Sequence, residues 1–242
     1  EIYGNDETFL PSFCARLGKD KISATEFEHA FAGCCLDSLE LDVKDEYTTA
    51  KLGIKAAKDS KTTIMTRAAV EALLPAEYPL VFHEVTISRS NTDISAKVKG
   101  LKLSIKNGIK AESGRSLGSR WARRLPAAGR EVTFSLDMYY ADLDTIKLLW
   151  GATSAPSTAG ATEFPVTITF DAGDDGELEL YMPRCIFSKV PIPVKGQDEV
   201  AMSAEGKAYS DSIALDDGVT AIDSSILARL QNDQVEMTPG GS

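Results

Sequence analysis

The sequence predicts a mostly β fold of the sandwich or barrel-like kind, with one to three short flanking helices. Two-residue alternation of apolar and polar side chains recurs along the chain, which places the apolar set on one face of each strand. That alternation reverses phase at two places marked by Gly100 and Pro183, as bent strands serving two faces require. Helical spacing of apolar residues is scarce by comparison.

Taken in order, Leu39, Leu41 and Val43 alternate with Ser38, Glu40 and Asp42, and Ala50, Leu52 and Ile54 follow the same rule beyond Asp45-Glu46. The two runs form a hairpin. A short helix capped by Thr66 runs to Pro75, and residues 80–87 form the next strand. Between Ile94 and Ile105 the residues Ile94, Ala96 and Val98 hold one phase and Leu101, Leu103 and Ile105 the other. A bulge or sharp bend at Gly100 reconciles them. Residues 132–138, 164–170 and 200–209 are further strands, and Leu178, Leu180 and Met182 change phase to Cys185 and Phe187 across Pro183. Asp142 caps a helix with Leu143, Ile146, Leu149 and Trp150 on one side and Gly151 at its end. A third helix begins near Ser224, with Ile226, Leu227 and Leu230 as its stripe.

The 242 residues suffice to bury about 70–75% of the unfolded surface in a substantial core. The chain reads as one β domain, 1–242, with a long loop at 107–129 and ends whose order before assembly stays open. With 43% hydrophobic and 26% charged residues, and no apolar run near the length of a membrane span, the composition is that of a soluble globular protein. A net charge of −10 argues against a surface that grips phosphate backbones, though not against nucleic acid as cargo. Cys14, Cys34, Cys35 and Cys185 show no C-x-x-C spacing, so reduced thiols are expected rather than a zinc or redox site. No secretory pattern is evident, and the Gly240-Gly241-Ser242 end reads as linker.

No motif carries catalytic, cofactor or metal chemistry. Residues 108–116 resemble a phosphate-binding loop with one residue too many and Arg in place of Lys. Residues 171–177 resemble a calcium loop, yet Gly173 holds a ligand position and Met182 stands where the closing Glu belongs, so a polar hairpin turn is the reading. His29 and His83 lack the spacing of a metal pair, and Asp142/Asp144 and Asp216/Asp217 read as a cap and a solvated turn. What remains is the loop 107–129, where Arg115, Arg120, Arg123, Arg124 and, just beyond, Arg130 crowd around Trp121. A basic arm on an acidic body points to an identical neighbour, where opposite potentials fix register. Single-stranded nucleic acid stacking on Trp121, or plain solvation, are the weaker readings.

The order of these parts carries a resemblance. The turn I-K-N-G at 105–108 is followed by G-R-S-L-G-S-R-W-A-R-R at 114–124, A-A-G-R-E-V-T-F-S-L-D-M at 127–138 and the helix D-L-D-T-I-K-L-L-W at 142–150. This run resembles the major tail tube proteins of long-tailed bacteriophages and related viruses. It covers residues 92–150, with weaker similarity over 164–188 and 193–209, while 60–79 has no counterpart and reads as an insertion.

The resemblance implies a non-enzymatic structural subunit without cofactors. It implies homo-hexameric rings that stack into a hollow tube, with strands from each subunit joined in an inner β-barrel. Partners are then the chain itself and other tail proteins such as tape measure, terminator and baseplate components, with DNA as passing cargo. The location is the virion tail, assembled in the host cytoplasm. Arg115, Arg120, Trp121, Arg123, Arg124 and Arg130 become inter-subunit contact candidates. Glu40, Asp42 and Asp137 become candidates for a lumen whose acidity repels DNA phosphates. The alternatives are a β-sandwich binding or adhesion module, which the 7% aromatic content disfavours, and another ring-forming tail or injection-tube component.

Overall fold

The alternating runs form strands, most of which join one large antiparallel sheet. The computed structural model describes residues 12–19, 27–44, 47–61, 81–140, 143–158, 160–173, 176–192, 200–215 and 221–231. In chain order these hold β1 (Phe13–Lys19), β2 (Phe27–Lys44), β3 (Tyr47–Lys61), β4 (Val85–Arg89), β5 (Thr92–Asp93), β6 (Val98–Lys106) and β7 (Glu131–Tyr139). Among the described residues one α-helix, α1 (Asp144–Trp150), precedes β8 (Phe164–Asp171), β9 (Glu177–Lys189), β10 (Ala201–Tyr209), β11 (Asp211–Ala214), β12 (Ala221–Ser224) and β13 (Leu227–Gln231).

Two long strands each serve two neighbours along one side. In β2 the first half pairs with β1 and residues 38–44 pair with β6, while β3 lies along the other side. In β9 residues 184–189 pair with β10 and 177–181 with β13, while β8 lies along the other side. The main path therefore runs β1-β2-β6-β7-β10-β9-β8-β4-β5, with β3 and β13 as branches and β11–β12 as a separate hairpin. The sheet stays open and sandwich-like; it is not a closed barrel.

The core fills the space between the β6–β7–β10 and β4–β8–β9 parts of this sheet. Leu103, Phe134, Leu136 and Met138 meet Ile168, Phe170, Met182 and Phe187 in one buried cluster. Phe187 lies 4.6 Å from Phe164 and 6.0 Å from Phe134, ring centre to ring centre. Burying each such ring stabilises the fold by roughly 2–3 kcal/mol. The inward row of β10 is small, and a Cβ on Gly206 would stand 2.3 Å from Phe134 Cζ, so the close approach of that ring requires glycine.

Both phase reversals are bulges. Register against β7 slips between Val98 and Gly100, and register between β8 and β9 slips opposite Pro183 and Arg184. The strand expected from Ile94 begins only at Val98, because Ser95–Lys97 is a 3-10 turn whose Ser95 hydroxyl receives the Ile87 N–H. Likewise Phe82–Glu84 is 3-10 helix, and the expected 80–87 strand reduces to β4. The 171–177 segment is the β8–β9 turn, with Asp171 accepting from Gly173 N.

α1 ends as expected at Gly151, whose φ of +67° a side chain would strain. The loop that follows folds back on the helix through Ser157 N to Trp150 O and Thr162 N to Leu148 O. The proposed cap Asp142, the 66–75 helix and the greater part of the 60–79 insertion lie outside the described residues.

One expectation fails outright: the helix near Ser224 is β13. Its backbone completes the half of β9 that β10 leaves unpaired, a demand that outweighs a stripe too short to hold a helix. Leu230, counted into that stripe, is 70% exposed.

Candidate interaction surfaces

The arginine loop leaves β6 at Lys106 and returns at Glu131, and its base is built into the protein. Asn107, 7% exposed, donates its backbone N–H to Asp37 O at 2.8 Å and its side-chain amide to Leu36 O at 2.9 Å. Asp37 stands at the bulge between Leu36 and Ser38, where it accepts from Ile109 N at 2.7 Å and pairs with Lys55 at 2.9 Å. Lys55 also donates to Ile109 O at 2.6 Å. Burial would raise the Asp37 carboxyl, but the Lys55 and Ile109 donors outweigh it and hold the group below the ordinary carboxylate range. Beneath this polar clasp Cys35, Ile109 and Leu125 form a second buried cluster with Ala57, Ala111 and Ala122 against it.

The rest of the loop is hairpin-like. Lys110 N donates to Pro126 O and Arg123 N to Gly114 O, each at 2.9 Å. Gly114 is required, since a Cβ there would fall 1.7 Å from Arg124 O. This frame carries Arg115, Arg120, Arg123 and Arg124 on an exposed tip, beside a fully exposed Leu117. The Arg120 guanidinium stacks 5.0 Å from the half-buried Trp121 ring. Arg115 meets Glu112 at 3.6 Å, a solvent-exposed pair worth little to stability. Arg130 differs from the others: it is half-buried at the loop base, donating to Asn107 Oδ1 at 3.1 Å and Ser224 Oγ at 3.4 Å, and burial lowers its pKa.

Glu40, Asp42 and Asp137 share one face of the sheet. Register places Glu40 beside Ser104, Asp42 beside Lys102, and Asp137 between Gly100 and Ser203. Over residues 47–53 of β3, 38–44 of β2, β6, β7 and β10, with Lys189 of β9, the same face carries seven lysines (Lys44, Lys51, Lys99, Lys102, Lys106, Lys189, Lys207), Lys99 lying 3.7 Å over the Tyr139 ring, against five carboxylates (Glu40, Asp42, Glu131, Asp137, Glu205). Four contacts join them across strands: Lys51–Glu40 at 3.9 Å, Lys102–Asp42 at 3.3 Å, Lys207–Glu131 at 2.8 Å and Lys189–Glu205 at 3.7 Å. The Lys207 contact lowers the Glu131 pKa and raises that of Lys207.

A third feature was not legible in the sequence. Among the described residues β3 pairs only with β2, apart from a bridge from Tyr47 to Val81, so beyond Tyr47 its outer edge meets no described strand. Leu52 and Ile54, expected as inward residues of a half-buried strand, are 57% and 46% exposed. Leu52 lies across β2 from Ile105 and Ile54 just beyond the last paired residue of β6, and among the described residues neither belongs to a buried cluster. Asp37, Lys55 and Asn107 were also missed, because their partners lie 18 to 72 positions away and leave no local signal.

Among the described residues no helix is long and apolar enough to cross a membrane, and no cluster of metal-ligating side chains occurs. Compared with known families, residues 6–214 match the family model described as phage tail tube protein. No curated protein matches the chain.

Proposed function

This chain belongs to the phage tail tube protein family, and from that premise we propose that it self-assembles into stacked rings forming a hollow tail tube through which DNA passes. The match over residues 6–214 carries the reading. Two features of the subunit support it. The open edge of β3 leaves backbone donors and acceptors for another strand, which closure of a sheet across subunits would satisfy. The cationic tip at Arg115–Arg124 stands on a rigid base and is free to meet an acidic surface of a second copy.

In this reading the polar face bearing Glu40, Asp42 and Asp137 lines the channel, and the rings are hexameric. Arg115, Arg120, Trp121, Arg123 and Arg124 contact the neighbouring copy, while Arg130 holds their loop. Tape measure, terminator and baseplate proteins meet the tube at its interior and ends, and assembly takes place in the host cytoplasm. The role is structural, with no catalytic step.

Electron microscopy of the purified protein with light scattering over a concentration series tests this. Hollow tubes of uniform width are expected, and a persistent monomer in the presence of tail extract as initiator would overturn it. Replacing Arg120, Arg123 and Arg124 together by Ser should lower tube yield at least tenfold with unchanged far-UV circular dichroism. Normal yield would remove the tip from the interface.

A further inference from the structure

We infer that the polar face of β2, β3, β6, β7 and β10 is a charge-compensated wall, suited to a double-stranded DNA backbone that passes without being captured. This rests on the proposed tube reading, in which that face lines the channel. The chain as a whole carries −10, yet seven lysines and five carboxylates leave these paired strands at about +2 on this face. The acidic surplus of the sequence therefore does not come from these strand positions. A channel built from this face would not exclude phosphates by bulk negative charge, as the sequence alone suggested.

The cross-strand contacts provide a different mechanism. A free lysine binds a phosphate largely because counterions leave, and each such contact steepens the salt dependence by about 0.9 in log K against log salt. Lys102, Lys207 and Lys189 each hold a carboxylate within 2.8 to 3.7 Å. A phosphate approaching one of them must share or displace that carboxylate and then face its charge, so little net attraction remains. Ser104, Thr133, Ser135 and Ser203 fill the face between the charged groups, and the Ser135 and Ser203 hydroxyls stand 3.5 Å apart. Hydroxyls offer weak neutral contacts that exchange with water. The face thus combines solubility with low affinity for a polyanion.

The soluble full-length chain tests the compensation directly, because the face is exposed before assembly. Fluorescence anisotropy would follow a labelled DNA duplex in the Arg120→Ser/Arg123→Ser/Arg124→Ser background, which removes the loop tip. That parent should bind weakly and with a shallow salt slope. Adding Asp42→Asn, Glu131→Gln and Glu205→Gln should raise affinity at least tenfold at low salt and steepen the slope by about 2–3, for three released lysines at about 0.9 each. If the triple variant misfolds, Glu131→Gln alone, at an exposed pair, should steepen the slope by about 1. Affinity no higher than the parent's in the folded variant would overturn the inference, and so would tight binding by the parent itself.

The channel reading is tested separately on tubes of a Cys14→Ser/Ser135→Cys variant. The new thiol should react with a small maleimide and resist one carrying a large polymer. Equal reaction with both would reject the channel-lining position while leaving the compensation measured on the soluble chain intact.

Discussion

Replacing Asn107 by Ala should loosen the arginine loop at its base. The side chain joins two strangers in sequence: it donates to Leu36 O at 2.9 Å and accepts from Arg130 Nε at 3.1 Å. Alanine removes both contacts. It leaves a part-buried carbonyl without its side-chain donor, and a half-buried guanidinium whose remaining partner, Ser224 Oγ, stands at a weak 3.4 Å. Losing the neutral bond costs about 1 kcal/mol and the charged one about 1.5–3 kcal/mol, so about 2–4 kcal/mol in all. Urea unfolding followed by tryptophan emission measures this, since Trp121 sits in the loop and Trp150 ends α1. With a slope of about 2–3 kcal/mol per molar, the midpoint should fall by about 1 M. Acrylamide should also quench Trp121 more readily in the native protein. Asn107→Asp keeps the acceptor toward Arg130 and adds a charge, so it should cost less than Ala. A loss under about 0.5 kcal/mol in the alanine variant, with unchanged quenching, would refute the view that this clasp fixes the loop.

Gly206→Ala should destabilise by about 1–3 kcal/mol, because the new Cβ meets a Phe134 ring held against Phe187, and Phe134→Leu should recover part of that loss in a double-mutant cycle. Absence of coupling between the two sites would argue against the steric account. Asp37→Asn should lower stability at neutral pH. The folded carboxyl sits below its ordinary value near 3.8, so its contribution is full above that value and disappears as the pH falls through the folded pKa. Wild type and variant should therefore converge in acid titrations below about pH 3.8, and parallel curves would contradict the ion pair's role. Burial pushes the Cys185 thiol up to about 12, so a thiol reagent at pH 8 should modify exposed Cys14 and spare Cys185 until the protein unfolds. Equal native rates at the two positions would place Cys185 outside the core.

The strands of the central core were legible because alternation records burial on one face. Runs 132–138, 164–170 and 200–209 became β7, β8 and β10 within a residue or so of each end. The two phase reversals were legible for the same reason, since a strand cannot change its buried face without a bulge. The partly exposed strands were less so. β1 and the first half of β2 carry small, mixed residues such as Ala15, Ala30, Ala32 and Gly33, and this part of β2 pairs with β1 and β3 rather than with a core strand. β13 misled because Ile226, Leu227 and Leu230 fit a helical stripe, while a strand partner in β9 decided the outcome. The arginine tip was visible as composition; its clasp depends on Asp37 and Lys55, whose roles appear only when the hairpin meets the loop.

The open edge of β3 joins these observations. A 15-residue edge strand with exposed Leu52 and Ile54 is an aggregation hazard unless pairing is restricted. Here the two faces are unequal: Lys51 lies on the polar face beside Glu40, whereas Leu52 pairs with Leu39 on the opposite one. A strand added out of register by one residue would set polar side chains against Leu52 and Ile54 and apolar ones beside Lys51. The pattern thus penalises random addition and favours a partner with matching sidedness. In an assembly closed through this edge, that same rule continues the lysine–carboxylate face from one subunit to the next. Reversing the sidedness with Lys51→Leu and Leu52→Lys should therefore abolish ordered tubes while sparing the buried core, and tubes of normal width from that variant would show that β3 is not the closing edge.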